Sequence, residues 1–210
     1  MKTHLPLLVE RTVTQAKAAS QELASSFFAQ LQSQLSDEGI TCTKGCHNCC
    51  YHPVLLSLLE GVALYRWLSE QRLWTTALKE TFKAHADRTR NLSFEVWLLS
   101  MIPCPLLTKD GLCGAYEARP FSCQITYSVG DPEQCHPHQI GDNTRIVPKR
   151  EVLERLANVE VPLLKRHGLN HFRIPMAEAV LYGERIAKGE LDLEDSAKTL
   201  WVNLIEASNG

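Results

Sequence analysis

The sequence predicts a mostly α-helical protein in which a helical scaffold surrounds an irregular, cysteine-rich core. Three observations predict this class. Apolar residues recur every three to four positions before residue 39 and after residue 148, as they do in amphipathic helices. Between Cys104 and Pro148 repeated prolines and glycines replace this periodicity and interrupt regular structure. All eight cysteines lie between positions 42 and 135.

The composition is that of a soluble globular domain, with 44% hydrophobic and 22% charged side chains among 210 residues. A chain of this length buries roughly 70% of its unfolded surface, so its core needs no disulfide or metal merely to fold. We expect one domain over residues 1–210. It comprises an N-terminal helix (1–39), a cysteine-cluster core with helices (40–147) and C-terminal helices (148–210).

The predicted elements follow in order. The first helix ends at Asp37-Glu38-Gly39, where glycine can take the left-handed conformation that terminates helices. After a polar loop, Pro53 is expected at the first position of a second helix that continues through Leu68. Further helical patterns cover residues 73–85, 92–101, 152–159, 176–188 and 191–205. The one strand-like pattern covers residues 122–129.

The formal net charge of −2 gives the chain no broad positive field, so we expect no nucleic-acid partner and no anionic membrane surface. The apolar stretch before Glu10 is too short for a signal sequence, and no run approaches the roughly 18 apolar residues of a membrane span. These observations predict a cytoplasmic protein.

The segregation of the cysteines favours metal binding. Cysteines used as small core residues would be spread along the chain, and disulfides are rare in a reducing cytosol. A clustered set is typical of metal or redox sites. A set of disulfides or partly inert buried thiols is the alternative.

The densest motif is Cys42-Thr-Lys-Gly-Cys46-His-Asn-Cys49-Cys50. A C-x2-C step such as Cys46 to Cys49 lets two thiolates converge on one soft cation. Gly45 and Asn48 can supply the positive φ values that such turns need. Neighbouring side chains diverge, so Cys49 and Cys50 are expected to serve two metals, or one ligates while the other packs or reacts.

The second group of cysteines is Cys104, Cys113 and Cys123. The turn sequence Lys109-Asp-Gly111 predicts a hairpin-like excursion that returns Cys113 to Cys104. Arg119 either places a positive charge beside the thiolates or forms a surface salt bridge.

This constellation resembles the CxxCxxCC family of zinc- or iron-chelating proteins, also called the YkgJ-type cysteine-cluster family, to which the flagellin lysine N-methylases are related. The resemblance implies iron–sulfur or zinc binding by the cysteines and a mostly helical fold. The family pattern also includes a glutamate at the position of Glu60, which could accept hydrogen bonds from cysteine-loop amides, bind metal or be solvated. The residues that carry the resemblance are Cys42, Cys46, Cys49, Cys50, Glu60, Cys104-Pro105, Gly111-Leu-Cys113, Tyr116, Arg119-Pro120 and Cys123.

Cys135 lies beyond that pattern, in Cys135-His136-Pro137-His138. We favour ligation by Cys135, because it completes an even set of eight, over ligation by either histidine. His47 and His52 are expected to support the site or to be solvated.

The predicted metal ligands are therefore all eight cysteines: Cys42, Cys46, Cys49, Cys50, Cys104, Cys113, Cys123 and Cys135. An iron–sulfur cluster of the [4Fe–4S] type, with a redox or cluster-dependent modifying role, is the preferred interpretation because the donors are soft and multinuclear chemistry suits the adjacent pair. If four of the cysteines bind this cluster, the other four remain available for a second centre, a redox disulfide or catalysis. One or two closed zinc sites in an interaction module without catalysis are the alternative. Either interpretation leaves room for a protein substrate or partner.

Overall fold

The computed structural model describes residues 5–34, 40–43, 45–128, 130–139, 150–165 and 172–191. Within these ranges the chain is mostly helical, which confirms the predicted fold class. The helices are α1 (Leu5–Gln34), α2 (Leu58–Glu70), α3 (Thr76–Thr89), α4 (Phe94–Leu99), α5 (Phe121–Gln124), α6 (Arg150–Lys165) and α7 (Met176–Ala187). The strands are β1 (Leu55–Leu56) and β2 (Ile174–Pro175), and short 3-10 helices span Asn48–Tyr51, Tyr116–Ala118 and Pro132–Cys135.

Helices α2 and α7 form the centre of the fold. Gly61 of α2 and Gly183 of α7 lie where the two helices touch, and a β-carbon added at Gly183 would lie 2.6 Å from the backbone of Gly61. Glycine is therefore required for the helices to approach this closely. Buried side chains of both helices surround the contact: Leu59, Val62, Leu68, Ala177, Ala179 and Val180.

The two short strands connect the starts of these central helices. Leu55 pairs with Pro175 and Leu56 with Ile174 in an antiparallel ladder. The Met176 amide donates a 2.9 Å hydrogen bond to the carbonyl of Val54. The chain that leaves the first cysteine motif is thereby fixed to the protein core.

A second apolar cluster attaches the later cysteine segment to the same scaffold. Ala24 of α1, Phe121 of α5, Ile125 and Leu156 of α6 are all buried together. Phe121 lies two residues before Cys123. Its packing against α1 and α6 therefore helps to fix the position of that cysteine.

The predicted start of the second helix was wrong. Pro53 precedes β1, and α2 begins after Ser57, whose hydroxyl accepts a hydrogen bond from the Glu60 amide while the Glu60 carboxylate accepts one from the Ser57 amide. This capping box satisfies amide donors that the first helical turn leaves free, so the helix starts there. The sequence Ser57-Leu-Leu-Glu60 was the signal for it.

The strand-like pattern was also wrong, because residues 121–124 form α5 and no strand occurs between residues 122 and 128. Phe121 and Ile125 are buried together, and their spacing of four positions is that of a helix rather than of a strand. The predicted end of the first helix at residues 37–39 and the predicted helix over 191–205 beyond Leu191 lie outside the described residues. None of the helices within the described ranges is both long and apolar enough to cross a membrane.

Candidate metal centre

The first cysteine motif forms a tight double turn. The Cys46 amide donates to the carbonyl of Thr43 at 3.1 Å, and the Cys50 amide donates to that of His47 at 2.8 Å. Gly45 has a φ of +103°, as its position in the turn predicted. Asn48 was expected to share this conformation, but it lies in the 3-10 helix and is buried.

A hairpin-like loop brings two later cysteines to this turn. Leu107 and Cys113 form an antiparallel bridge, and the Gly114 amide donates to the Leu106 carbonyl at 2.8 Å. Gly111 turns the chain with a φ of +73°, which confirms the predicted return of Cys113 towards Cys104. The Cys104 amide donates to the Cys50 carbonyl at 2.8 Å and so joins the loop to the first motif.

A third segment, formed by residue 128 and residues 130–135, contacts the first motif at other points. The Ser128 amide donates a 3.0 Å hydrogen bond to Sγ of Cys42, and the Asn48 side chain donates to the Pro132 carbonyl at 2.8 Å. Nε2 of His52 lies 2.6 Å from the Cys135 carbonyl, which can only accept, so this nitrogen carries the proton. Cys135 is buried. The structure thus brings the Cys135 segment to the motif, although it lies outside the spacing pattern used to recognise the cluster.

Glu60 holds the Cys123 segment in place. Its carboxylate accepts hydrogen bonds from the Phe121 amide at 2.9 Å, from the Ser57 amide at 3.1 Å and from Arg173 at 2.8 Å. Burial raises the pKa of Glu60, while the charge of Arg173 and the two amides oppose that rise. The expectation that Glu60 accepts from amides of the cysteine segments is confirmed, and its interpretation as a solvated residue is wrong.

Arg173 is a supporting residue that the sequence analysis missed. Its guanidinium also donates to the Leu55 carbonyl at 3.1 Å and to the Ser122 hydroxyl at 3.2 Å. Because it lies far along the chain from the last cysteine, no local pattern marks it. Its position depends on the pairing of β1 with β2.

All eight thiols are free. The surroundings of six of them raise the pKa and so favour the neutral form: Cys42, Cys49, Cys104, Cys113, Cys123 and Cys135. Burial raises the pKa values of Cys104 and Cys123, and further increases come from the charges that Cys49 and Cys113 would carry. The pKa of Cys49 is raised first by its hydrogen bond with Cys50 and then by burial. The thiols of two distant stretches therefore lie close enough to interact electrostatically.

Two further pKa shifts link the first and third segments. Burial raises the pKa values of Cys42 and Cys135, and the charge of Cys46 adds to both increases. The Ser128 hydroxyl lies beside Cys135 and lowers the pKa of that thiol. Its contact with the sulfur lacks hydrogen-bond geometry, however, so this buried hydroxyl has no partner.

Other groups stabilise the thiolate forms. The amides of Leu106 and Ala115 donate to Cys104 and Cys113, respectively, and lower the pKa of each thiol. Each amide lies two residues after its cysteine. Hydrogen bonds of this kind favour the charged form of sulfur and orient it as a ligand.

Arg119 adds a fixed positive charge, which lowers the pKa values of Cys49, Cys113 and Cys123. Its guanidinium lies 4.1 Å from the centre of the Tyr116 ring. Its Nε is buried without a hydrogen-bond partner. Of the two interpretations of Arg119, the charge beside the thiols is confirmed.

Histidines border the first motif. The rings of His47 and His136 lie 6.5 Å and 5.7 Å from that of Tyr51, and His138 lies 5.8 Å from His136. Burial lowers the pKa of His52, which keeps the ring neutral while it donates to the Cys135 carbonyl. The expected supporting role of His52 agrees with this contact.

Among the residues that the structure describes, no group of three or more histidine, cysteine, aspartate and glutamate side chains already converges to hold a metal ion. The donor set nevertheless fits a thiophilic metal or cluster. It consists of free thiols with amides directed at sulfur and a guanidinium beside them. This is the environment that thiolate-bound metals require.

Comparison with known families agrees with this chemistry. The model of the CxxCxxCC family, described as a "Putative zinc- or iron-chelating domain", matches residues 41–148. The chain belongs to the CxxCxxCC family. The match confirms the resemblance inferred from the spacing, and it includes Cys135. In this CxxCxxCC protein three residues separate Cys42 from Cys46, where the family name has two. No curated protein and no solved structure matches the chain.

Proposed function

We propose that this CxxCxxCC-family protein binds iron and sulfide through its eight cysteines and uses a [4Fe–4S] centre for a redox or cluster-dependent modifying reaction. The main support is the meeting of three chain segments. The hairpin of Cys104 attaches to the first cysteine motif by a backbone hydrogen bond to Cys50. The segment of Cys135 attaches to it by hydrogen bonds from the side chains of Asn48 and His52 to backbone carbonyls. Both later segments therefore bring their cysteines to the neighbourhood of the first motif.

We prefer an iron–sulfur cluster to zinc because the adjacent pair Cys49 and Cys50 suits multinuclear sulfur chemistry. Sulfur is the common donor of all three segments, and soft thiolates suit clusters as well as zinc. Hydrogen bonds to sulfur and nearby positive charge raise the reduction potential of a cluster. The amides of Leu106, Ala115 and Ser128 and the charge of Arg119 would act in this way.

The chain's own groups prepare the thiols for binding. Burial keeps Cys104 and Cys123 protonated, so metal binding must displace their protons. A bound cluster would supply one-electron transfer or, with an open iron, Lewis-acid chemistry. The proposed recipient is a protein substrate or partner, since the net charge of −2 offers no field for nucleic acid.

The test is metal analysis of protein purified without oxygen. We expect brown protein that absorbs near roughly 400 nm and contains iron with acid-labile sulfide. Cys46→Ala and Cys49→Ala should each lower the metal content, whereas Ser33→Ala, at an exposed position on α1, should leave it unchanged. Colourless protein with bound zinc would favour a zinc-binding interaction module. Unchanged metal content in both cysteine variants would refute the ligand assignment.

A further inference from the structure

We propose that residues 192–210, which lie outside the described ranges, dock as an amphipathic helix in the groove between α1 and α2. The inference is independent of the proposed function, since it concerns a face of the helical scaffold and uses none of the cysteines. The groove, called here the α1–α2 groove, has a volume of about 520 Å³. Among the residues that line it are Val13, Lys17, Ala63, Arg66, Trp67 and Ala187.

The α1–α2 groove can receive side chains of another helix. Its volume lies in the range of ligand-binding clefts, roughly 300–1,000 Å³. Val13 is buried at the groove, and Trp67 is half-buried there and packs against the main apolar core. Apolar side chains that enter the groove therefore meet apolar surface, and their removal from water would stabilise the contact.

The last described residues lie next to the groove. Gly189 has a φ of +70°, and the Glu190 amide donates to the Arg185 carbonyl at 2.9 Å. Hydrogen bonds of this kind cap the end of a helix and turn the chain out of its axis. Leu191 then packs against the same apolar core as Ala187, which lines the groove. Residue 192 therefore starts beside the α1–α2 groove.

The sequence of residues 192–210 has the pattern that such a groove requires. Ala197, Leu200, Trp201 and Leu204 are spaced as i, i+3, i+4 and i+7, which places them on one face of a helix. Positions 196, 199, 203 and 206 are polar and fall on another face. We infer that the apolar face enters the groove and the polar face remains in water.

The length of this segment fits the groove. The groove runs along residues 10–17 of α1 and 63–70 of α2, and eight helical residues span about 12 Å. The apolar face over residues 197–204 has the same length. Residues 192–196 connect it to the scaffold, and five residues reach up to about 17 Å. Because a short tether gives a segment a high effective concentration, residues 192–210 should occupy the groove in preference to a separate chain.

The charges at the groove also suit this segment. Two bases, Lys17 and Arg66, and two acids, Glu10 and Glu70, line the groove. None of these four takes part in an ion pair with another described residue. The segment carries both signs as well, with three acids over residues 192–195 and one lysine after them. Each sign on the segment thus finds an opposite charge at the groove.

The experiment is hydrogen–deuterium exchange with mass spectrometry on the full chain, at one defined metal content and at two protein concentrations. Amides of residues 197–205 should exchange about 10-fold or more slowly than those of a synthetic peptide of residues 192–210. Ala63→Glu, which places a charged side chain in the groove, should raise their exchange to the rate of the peptide. The matched control Ala77→Glu, at an exposed position on α3, should leave their exchange unchanged.

A second pair of variants changes the segment itself and leaves the described scaffold as it is. Trp201→Ser should speed the exchange of residues 10–17 of α1, whereas Trp201→Phe should retain most of their protection. If Ala63→Glu fails to fold by circular dichroism, this pair decides the question. Unchanged exchange of α1 in Trp201→Ser would overturn the inference.

Two further results would also overturn it. The first is exchange of residues 197–205 in wild type at the rate of the peptide, or equal protection of these residues in wild type and Ala63→Glu. The second is protection that rises with protein concentration, because the occupant of the groove would then be the segment of a second copy. None of these outcomes depends on which metal the protein binds, so the proposed function is tested separately.

Discussion

Removing the carboxylate of Glu60 should destabilise the protein far more than removing a solvent-exposed one. Its side chain is 11% exposed and that of Arg173 is 17% exposed. In Glu60→Ala the guanidinium and the amides of Ser57 and Phe121 would lose their shared acceptor. Breaking such a buried pair costs about 3–5 kcal/mol, because the remaining charge is left unpaired.

The assay is urea unfolding followed by circular dichroism, at one defined metal content for all variants. The control is Glu80→Ala, whose carboxylate is 61% exposed and pairs with Lys83 on the surface; it should cost at most about 1 kcal/mol. Adding Arg173→Leu to Glu60→Ala should recover part of the loss, since no unpaired charge remains. Equal costs for Glu60→Ala and Glu80→Ala would refute the role assigned to this network.

Three further outcomes are expected. Gly61→Ala should destabilise the fold by about 1–3 kcal/mol in urea unfolding, because a β-carbon at this position would meet the backbone of Ala179. An alanine that replaces an exposed helical glycine usually stabilises the helix. A gain in stability here would therefore contradict the close packing of α2 against α7. Arg119→Gln should weaken metal binding about 10-fold or more in chelator competition while Arg119→Lys retains more of it, and equal affinities for the two variants would show that charge is not the cause. Burial lowers the pKa of His85 to about 4, whereas a histidine in the unfolded chain has a pKa near 6.5. Between these two pH values the unfolded chain therefore binds more protons than the folded protein, and stability falls as the pH falls. Across that interval the free energy of unfolding of wild type should decrease by about 2–3 kcal/mol more than that of His85→Leu. Parallel pH profiles of unfolding would exclude this contribution.

Local chemistry made several features predictable. The turn at Gly111 and the left-handed Gly45 follow from residue types that suit tight turns, and both were predicted from neighbouring residues alone. The start of α2 was predictable in principle from Ser57 and Glu60, but Pro53 offered a competing signal. Helix formation elsewhere followed from apolar periodicity.

Long-range contacts explain what the sequence analysis could not supply. Arg173 reaches Glu60 only because β1 and β2 pair, and nothing around residue 173 indicates that pairing. Likewise, the contact of Ser128 with Cys42 joins positions far apart in the chain. Cysteine spacing predicted the set of candidate ligands, whereas the attachment of each cysteine segment to the first motif depends on how the chain packs.

The most direct test of cysteine ligation is X-ray absorption spectroscopy of the purified protein at the edge of its bound metal. We predict a first shell of sulfur atoms only, at about 2.3 Å, whether the metal is iron or zinc. A first shell dominated by nitrogen or oxygen at about 2.0–2.1 Å would contradict the account, because it would place the metal outside the eight thiols.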